Sequence, residues 1–347
     1  MTSIASNSGK KAFLLGLDYE LYFGPRTGSV EKCILEPTET AATLMEKHGF
    51  FLSLFVDAGY LVRCKALASF HPQLARDYDL VCRQLENMVA RGHDVQLHVH
   101  PHWEDASYSE DAWHLPVHRY RLHDFSATET QTIVSGYKSQ LSNIAGRDIF
   151  AYRAGGWCMQ PFATIAPALA SAGVWMDSTV YADGYSEDPH HGYDFRGAPT
   201  DDCYRFSNDP NVRDENGEFV EIPITPCTLG PDFFWRLAIS RKLKLAQHQG
   251  FGDGAPIPSS GGYYLRKLTR SSVSVASVDG LKSNWLARTL RNETQVAERS
   301  RFFNAMGHPK AMTPGSMVQL DKFLQQHSSE LEPCTFWDLK DLKPDLS

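Results

Sequence analysis

The strongest constraint in this sequence is a rhythm. Short apolar runs bounded by turn residues alternate with segments of helical periodicity along most of its 347 residues. That alternation is what a parallel sheet covered by helices requires, because each strand must be followed by a crossover long enough to return the chain to the same sheet edge. The run AFLLGLDYE (residues 12–20) reads as a first strand, and PTETAATLMEKHG (37–49) as a helix started by Pro37 and Thr38 and stopped by Gly49. FFLSLFVDAG (50–59) is rich in β formers. A helix over HPQLARDYDLVCRQLENMVARG (71–92) then places Leu74, Tyr78, Val81, Leu85, Met88 and Val89 on one face and leads directly into DVQLHVH (94–100).

The pattern continues with a helix in ATETQTIVSGYKSQLSNIAG (127–146), the strand IFAYRAGGW (149–157), a helix in PFATIAPALASAG (161–173) and the strand VWMDSTVYA (174–182). Each βα unit takes roughly 40 residues, which suits repeats closing into a barrel or a distorted version of one. Residues 183–218, rich in Gly, Pro, Asp and Asn, read as a long surface excursion, and FVEIPIT (219–225) resumes the strands. Residues 228–300 contain the turn-rich GDGAPIPSSGG and two helical segments and read as an insertion beside the barrel. RFFNAMGHP (301–309), a helix near TPGSMVQLDKFLQQHSS (313–329) and a last strand CTFWDLKDL (334–342) complete the pattern. The expected fold is α/β, one elaborated domain over 1–347 with about seven parallel strands.

Composition excludes some functions. A net charge of −7 with dispersed Lys and Arg leaves no electrostatic footprint for DNA or RNA, so no nucleic-acid partner is expected. Asp18 and Glu20 interrupt the apolar run near the N-terminus before it could serve as a signal core, and no stretch is long and apolar enough to span a bilayer. The expected compartment is therefore the cytoplasm. Seven cysteines without a CxxC pair signal neither a disulfide framework nor a cysteine zinc site.

The unusual polar residues share a position. Asp18 and Glu20 close the first strand, His98, His100 and His102 close DVQLHVH, Arg153 follows IFAY, Asp177 sits in WMDSTV and His308 ends FFNAMGHP. All fall at C-terminal strand ends, the edge where the loops of an α/β barrel build a site. Alternate residues of a strand share a face, so the three histidines can converge. Imidazoles with a carboxylate make good ligands for zinc or a similar divalent ion. Two carboxylates at the end of a buried strand are costly without a cation or hydrogen-bond partners.

GHDVQLHVHPH (92–102) resembles the His-x-x-x-His metal motif of the polysaccharide deacetylase (NodB-homology, carbohydrate esterase family 4) superfamily. In order along the chain, LGLDYE is similar to that family's first, aspartate-containing motif, YRAGGW to its Arg motif, VWMDSTV to its later Asp motif and GHP to its last, His-containing motif. Smaller echoes are FFLSLFVDAG, YDFRGAP and VEIPIT, so the match covers roughly residues 12–227 and 301–340. The resemblance implies a distorted (β/α) barrel and one divalent metal, zinc first, with cobalt, nickel or iron as alternatives. Its register selects His98 and His102 as ligands with Glu20 and leaves His100 incidental. Where the family usually has adjacent aspartates this chain has Asp18-Tyr19-Glu20, so Asp18 is carried over as general base and Glu20 as ligand, with the opposite assignment open.

The remaining roles also follow from the resemblance. Arg153 would pair with Asp18 and hold it ionised, His308 would protonate a departing amine, and Asp177 would orient that imidazole. Trp103, Trp157, Trp175 and Tyr181 are candidates to stack on sugar faces. The implied activity is removal of an N-acyl group, acetyl first, from an amino sugar of a surface glycan or its precursor, as in polysaccharide, O-antigen or capsule assembly. The alternatives are hydrolysis of a cyclic, non-sugar amide on the same fold and a sugar-binding relative without turnover. A metal-free glycosidase is disfavoured, because acids two residues apart on one strand are poorly placed to flank a glycosidic bond.

Overall fold

The computed structural model describes residues 9–116, 118–188, 191–257, 267–296 and 300–345. In chain order its principal strands are β1 (Lys11–Tyr19), β2 (Ser53–Asp57), β3 (Asp94–Val99), β4 (Ala151–Ala154), β5 (Met176–Asp177), β6 (Tyr204–Phe206), β7 (Phe219–Glu221), β8 (Pro226–Leu229), β9 (Ser272–Val275), β10 (Phe302–Gly307) and β11 (Leu331–Pro333). The principal helices are α1 (Glu36–Lys47), α2 (Ala58–Leu67), α3 (Pro72–Ala90), α4 (Ala127–Ala145), α5 (Ala166–Ser171), α6 (Pro231–Leu243), α7 (Leu286–Val296) and α8 (Pro314–His327). The fold class is α/β with largely parallel strands, as expected. The chain condenses as two compact units, a larger one from Ser53–Pro223 with the C-terminal stretch from Thr335, and a smaller one from the N-terminal stretch to Leu52 with Ile224–Cys334.

In the larger unit the strand order is β6-β7-β5-β4-β3-β2, parallel throughout except for the antiparallel pair β6–β7. β2, β3 and β4 are buried along their whole length, the burial of strands covered on both faces. Helix α3 starts on Pro72, where a missing N–H costs nothing, and buries Leu74, Val81, Leu85 and Met88. Helix α4 is framed by a Ser126/Glu129 capping box and by Gly146 at φ 65°. The expected excursion 183–218 is not wholly surface: Phe195 and Phe206 are fully buried, and β6 lies within it, with residues 207–218 connecting it to β7.

Two segments of this unit differ from expectation. Helix α2 follows β2 directly, where the sequence pattern suggested only the end of a strand. The stretch CTFWDLKDL is a 3-10 helix over Phe336–Leu342 rather than a strand, because Thr335 and Asp338 close a capping box that commits the chain to helical turns. Phe336 N–H donates to Ser53 Oγ at 3.1 Å, and Trp337 N–H to Asp94 at 3.0 Å.

In the smaller unit β1 pairs in parallel with both β10 and β11. Phe13, Phe50, Phe303 and Phe323 cluster around it, with Phe13 within 5.8 Å of the other three ring centroids. The helix expected to start at Pro37 begins earlier, in a wide π-turn over Glu31–Leu35 that runs straight into α1. The wider turn leaves room for the Pro37 ring, which in a regular α-helix would strike the carbonyl four residues back. At the start of and within the segment read as an insertion (228–300), β8 and β9 form an antiparallel pair, and Cys227, just before it, makes a small core with Leu229, Phe233 and Trp285. Part of its turn-rich stretch 252–262 lies outside the described residues. Among the described residues no helix is long and apolar enough to cross a membrane.

Candidate active site

Strand register gathers the polar residues of the larger unit. Asp57 pairs across to His98 and His98 to Arg153, so three strand ends carry polar side chains at one level. One level lower, Tyr152 pairs with Asp177 and Asp177 with Glu221. All of these side chains are buried.

His98 Nδ1 lies 2.9 Å from the Arg153 carbonyl oxygen. A carbonyl can only accept, so Nδ1 carries the proton and Nε2 presents a lone pair on the other side of the ring. This is the arrangement that outer-sphere groups impose on a metal-ligating histidine. His100 is in ring contact with both His98, at 4.8 Å between centroids, and His102, at 5.3 Å. Its Nδ1 edge lies against Gly155, where an added Cβ would come within 2.5 Å, so the glycine gives this imidazole its place. His102 stacks on Tyr120 at 5.5 Å and 5°. The register of the family resemblance set His100 aside, whereas the structure seats it between the other two.

Arg153 is buried with its guanidinium 3.9 Å over the Phe55 ring, donating to the Ser178 carbonyl at 2.7 Å and to Ser178 Oγ at 3.2 Å. Asp177 accepts from the Thr179 backbone N–H at 2.9 Å and from Thr179 Oγ1 at 2.7 Å, and shares a hydrogen bond with Glu221. Burial pushes the Asp177 carboxyl up to about 7, and burial together with the neighbouring Asp177 charge holds Glu221 well above the usual carboxylate range. With both carboxyls held above the ordinary carboxylate range, the pair keeps a proton at neutral pH, and the charge of Arg153 partly offsets the effect of burial on both.

A pH dependence follows. Between the ordinary carboxylate range and about 7 the folded protein holds a proton that the unfolded chain has already released. Stability contributed by this pair is therefore complete at acidic pH and lost as pH rises through that window. The urea midpoint should fall between pH 5 and 8, and Glu221→Gln should flatten the fall because its amide donates to Asp177 without a proton to lose. An equally steep decline in the variant would contradict the shared proton.

The smaller unit holds the other candidates. Asp18 and Glu20 are buried at the end of β1, and the register of β1 with β10 brings His308 beside them. His308 Nε2 lies 3.7 Å from Asp18 Oδ2 and 3.7 Å from Glu20 Oε1. Its Nδ1 lies 2.8 Å from Asp279 Oδ2, and its backbone N–H donates to Asp279 Oδ1 at 2.7 Å. Burial disfavours the imidazolium, but Asp279, Asp18 and Glu20 outweigh it and raise the His308 pKa. Lys310 Nζ donates to Glu20 Oε1 at 2.9 Å and to the Leu21 carbonyl at 2.5 Å.

No protein-family model matches this sequence, and no curated protein matches it. Solved structures do. A protein from Mycobacterium smegmatis assigned as a polysaccharide deacetylase superposes over 99% of this chain and 93% of its own, with a TM-score of 0.51 and 14% identity. This chain has the polysaccharide deacetylase fold. An allantoinase matches over 96% of this chain and 90% of its own at a TM-score of 0.47 and 11% identity. A peptidoglycan deacetylase from Bacillus subtilis matches over 97% and 94% at a TM-score of 0.33 and 10% identity. Of these, only the Mycobacterium structure exceeds 0.5, and at such identity the likeness is one of fold.

On this deacetylase fold the pairing expected between Asp177 and His308 is replaced. The carboxylate on His308 Nδ1 is Asp279, and Asp177 is engaged with Thr179 and Glu221 instead. Asp279 follows the short β-like run SVSVASV, so it ends an extended segment as the other site acids do, and that signal was available. Lys310, two residues beyond His308, and Glu221 in VEIPIT were also missed. Of the aromatic candidates, Trp103 and Trp175 serve packing: Trp103 is fully buried and donates to Asp57 at 2.5 Å, and Trp175 stacks on Phe150 at 5.0 Å. Trp157 is half-buried beside Tyr181 and Tyr193.

Proposed function

We propose that this protein is a metal-dependent hydrolase that removes an N-acyl group, acetyl first, from an amino sugar of a cell-surface glycan or its precursor. The observation that carries the reading is the partly buried His308, held by Asp279 on one nitrogen and facing two carboxylates, Asp18 and Glu20, on the other. An imidazole so placed is a proton donor beside acids that can receive one, which is the machinery amide hydrolysis needs.

The residues fit a divalent ion. His98 is fixed in the tautomer that offers Nε2, and Lys310 donates to Glu20 Oε1, which holds the carboxylate in place for a ligand role. Glu20, His98 and His102 would hold the ion, zinc first, with His100 the second reading for the third ligand because its ring edge lies against the same strand end as that of His98. When bound, the ion supplies a Lewis acid for the acyl carbonyl and acidifies water. Asp18 takes the proton of the attacking water. Arg153 is the guanidinium proposed to keep that carboxylate ionised. His308 delivers a proton from Nε2 to the departing amine, and Asp279 keeps Nδ1 protonated so that Nε2 faces the reaction.

The experiment is acetate release from N-acetylated amino sugars and their nucleotide- and lipid-linked forms, run beside cyclic amides. Release from the sugars, abolished by chelator and restored by zinc, is expected. Turnover of the cyclic amides alone would replace the substrate class, and no turnover of either by folded, zinc-supplied protein would remove the catalytic reading.

A further inference from the structure

Helix α6 is apolar on two faces. One is buried, through Phe233 and Ser240 with Phe234 and Leu237 packed against the core of Cys227, Leu229 and Trp285. The other carries Trp235, Ile239 and Leu243 at positions i, i+4 and i+8, a single stripe along the helix. These three side chains are 55%, 54% and 61% exposed, against the burial usual for residues of their kind. Scattered exposed apolar residues need no explanation, but three in line on one helix mark an interaction surface.

Charge says what the surface meets. At helical spacing Lys242 falls on one side of the stripe and Arg236 on the other, and Lys244 caps the helix next to Leu243, all exposed. Over residues 231–252, α6 and the turn after it, the sequence has four Lys or Arg residues against one acid, Asp232 in the first turn, in a chain whose net charge is −7. A tryptophan-bearing apolar stripe edged by cations is the composition of a helix that lies in a membrane interface, where the ring sits at headgroup level and the cations meet anionic lipid. A protein partner would need no such local reversal of charge.

We propose that the outer face of α6 docks this protein on an anionic membrane surface. The proposal needs no assumption about the reaction and stands apart from the metal reading. Docking is peripheral: the stripe reaches the acyl boundary while the rest of the helix remains packed on its own core.

The test is co-sedimentation of the full chain with vesicles of phosphatidylcholine alone or mixed with phosphatidylglycerol. Wild type is expected to sediment with the mixed vesicles, not with phosphatidylcholine alone, and to be released by high salt. Lys242→Glu and Arg236→Glu should each weaken binding at least about fivefold. Trp235→Ser with Ile239→Ser should weaken it about tenfold or more. Because these side chains are exposed, thermal melting of the variants should match wild type. Folded wild type that ignores the mixed vesicles, or binding that the variants leave unchanged, would overturn the proposal. So would concentration-dependent self-association that Ile239→Lys abolishes, since the face would then be covered by a second copy of the chain.

Discussion

His98→Ala is expected to empty the protein of its divalent ion and to lower kcat/KM for acetate release by about a thousandfold or more, while the fold survives. The loss should exceed that of an ordinary surface ligand because His98 is buried at the end of β3 with its tautomer fixed by the Arg153 carbonyl, so no neighbouring side chain can take its place without that orientation. The cost to stability should be modest. Removing the imidazole costs the buried Arg153 carbonyl one hydrogen bond, worth about 1 kcal/mol, in a strand whose ladder is otherwise intact. Elemental analysis of purified wild type, His98→Ala, His100→Ala and His102→Ala, each checked by thermal melting, decides the ligand set. Metal lost with His98 and His102 but kept with His100 supports the proposed set. Loss with His100 and retention with His102 moves the ligand two residues, and stoichiometric metal in His98→Ala refutes the site.

Asp279→Asn is expected to lower kcat by roughly 10²–10⁴ with KM little changed. The carboxylate accepts from Nδ1 of His308 and from its backbone N–H, so it fixes both the tautomer and the position of the ring. An asparagine can still accept one bond but can also present its amide to Nδ1, which favours the tautomer with its proton on the wrong nitrogen. Asp177→Asn is the informative control, because Asp177 bonds Thr179 and Glu221, whereas the carboxylate on Nδ1 of His308 is that of Asp279. Its effect should appear in stability and its pH dependence. Steady-state kinetics on both variants separates the assignments: a larger kcat loss in Asp177→Asn would return the orienting role to Asp177.

The parts of the fold that were legible in the sequence are those where one period dominates. β1, β3, α3 and α4 lie where the pattern places them, since a buried parallel strand is a continuous apolar run and a surface helix carries its stripe every three to four residues. Helix α2 was illegible because AGYLVRCKAL opens with small residues after a strand and has no capping side chain. CTFWDLKDL has the composition of a strand but the Thr-x-x-Asp spacing of a capped turn, and the hydrogen bonds of the cap prevail.

The site was legible to the same degree. Histidines at alternate positions of a strand end announce themselves, whereas Asp279 sits where neither period holds and its relation to His308 comes from the pairing of Ser277 with Met306, a bridge between segments remote in sequence. Glu221 looked like an ordinary strand residue because nothing local reveals that its neighbour across the sheet is Asp177.

The segment between β8 and β10 therefore has a different standing from an ornament on a barrel. It supplies the acid that grips His308, so the proposed proton donor is assembled from two stretches of chain that a modular view would treat as separable. Trimming residues 228–300 to obtain a minimal catalytic body would remove that acid with them. An exchange of this segment between related chains would carry over Asp279, part of the proposed acid–base pair, so turnover in such chimaeras should change with the segment.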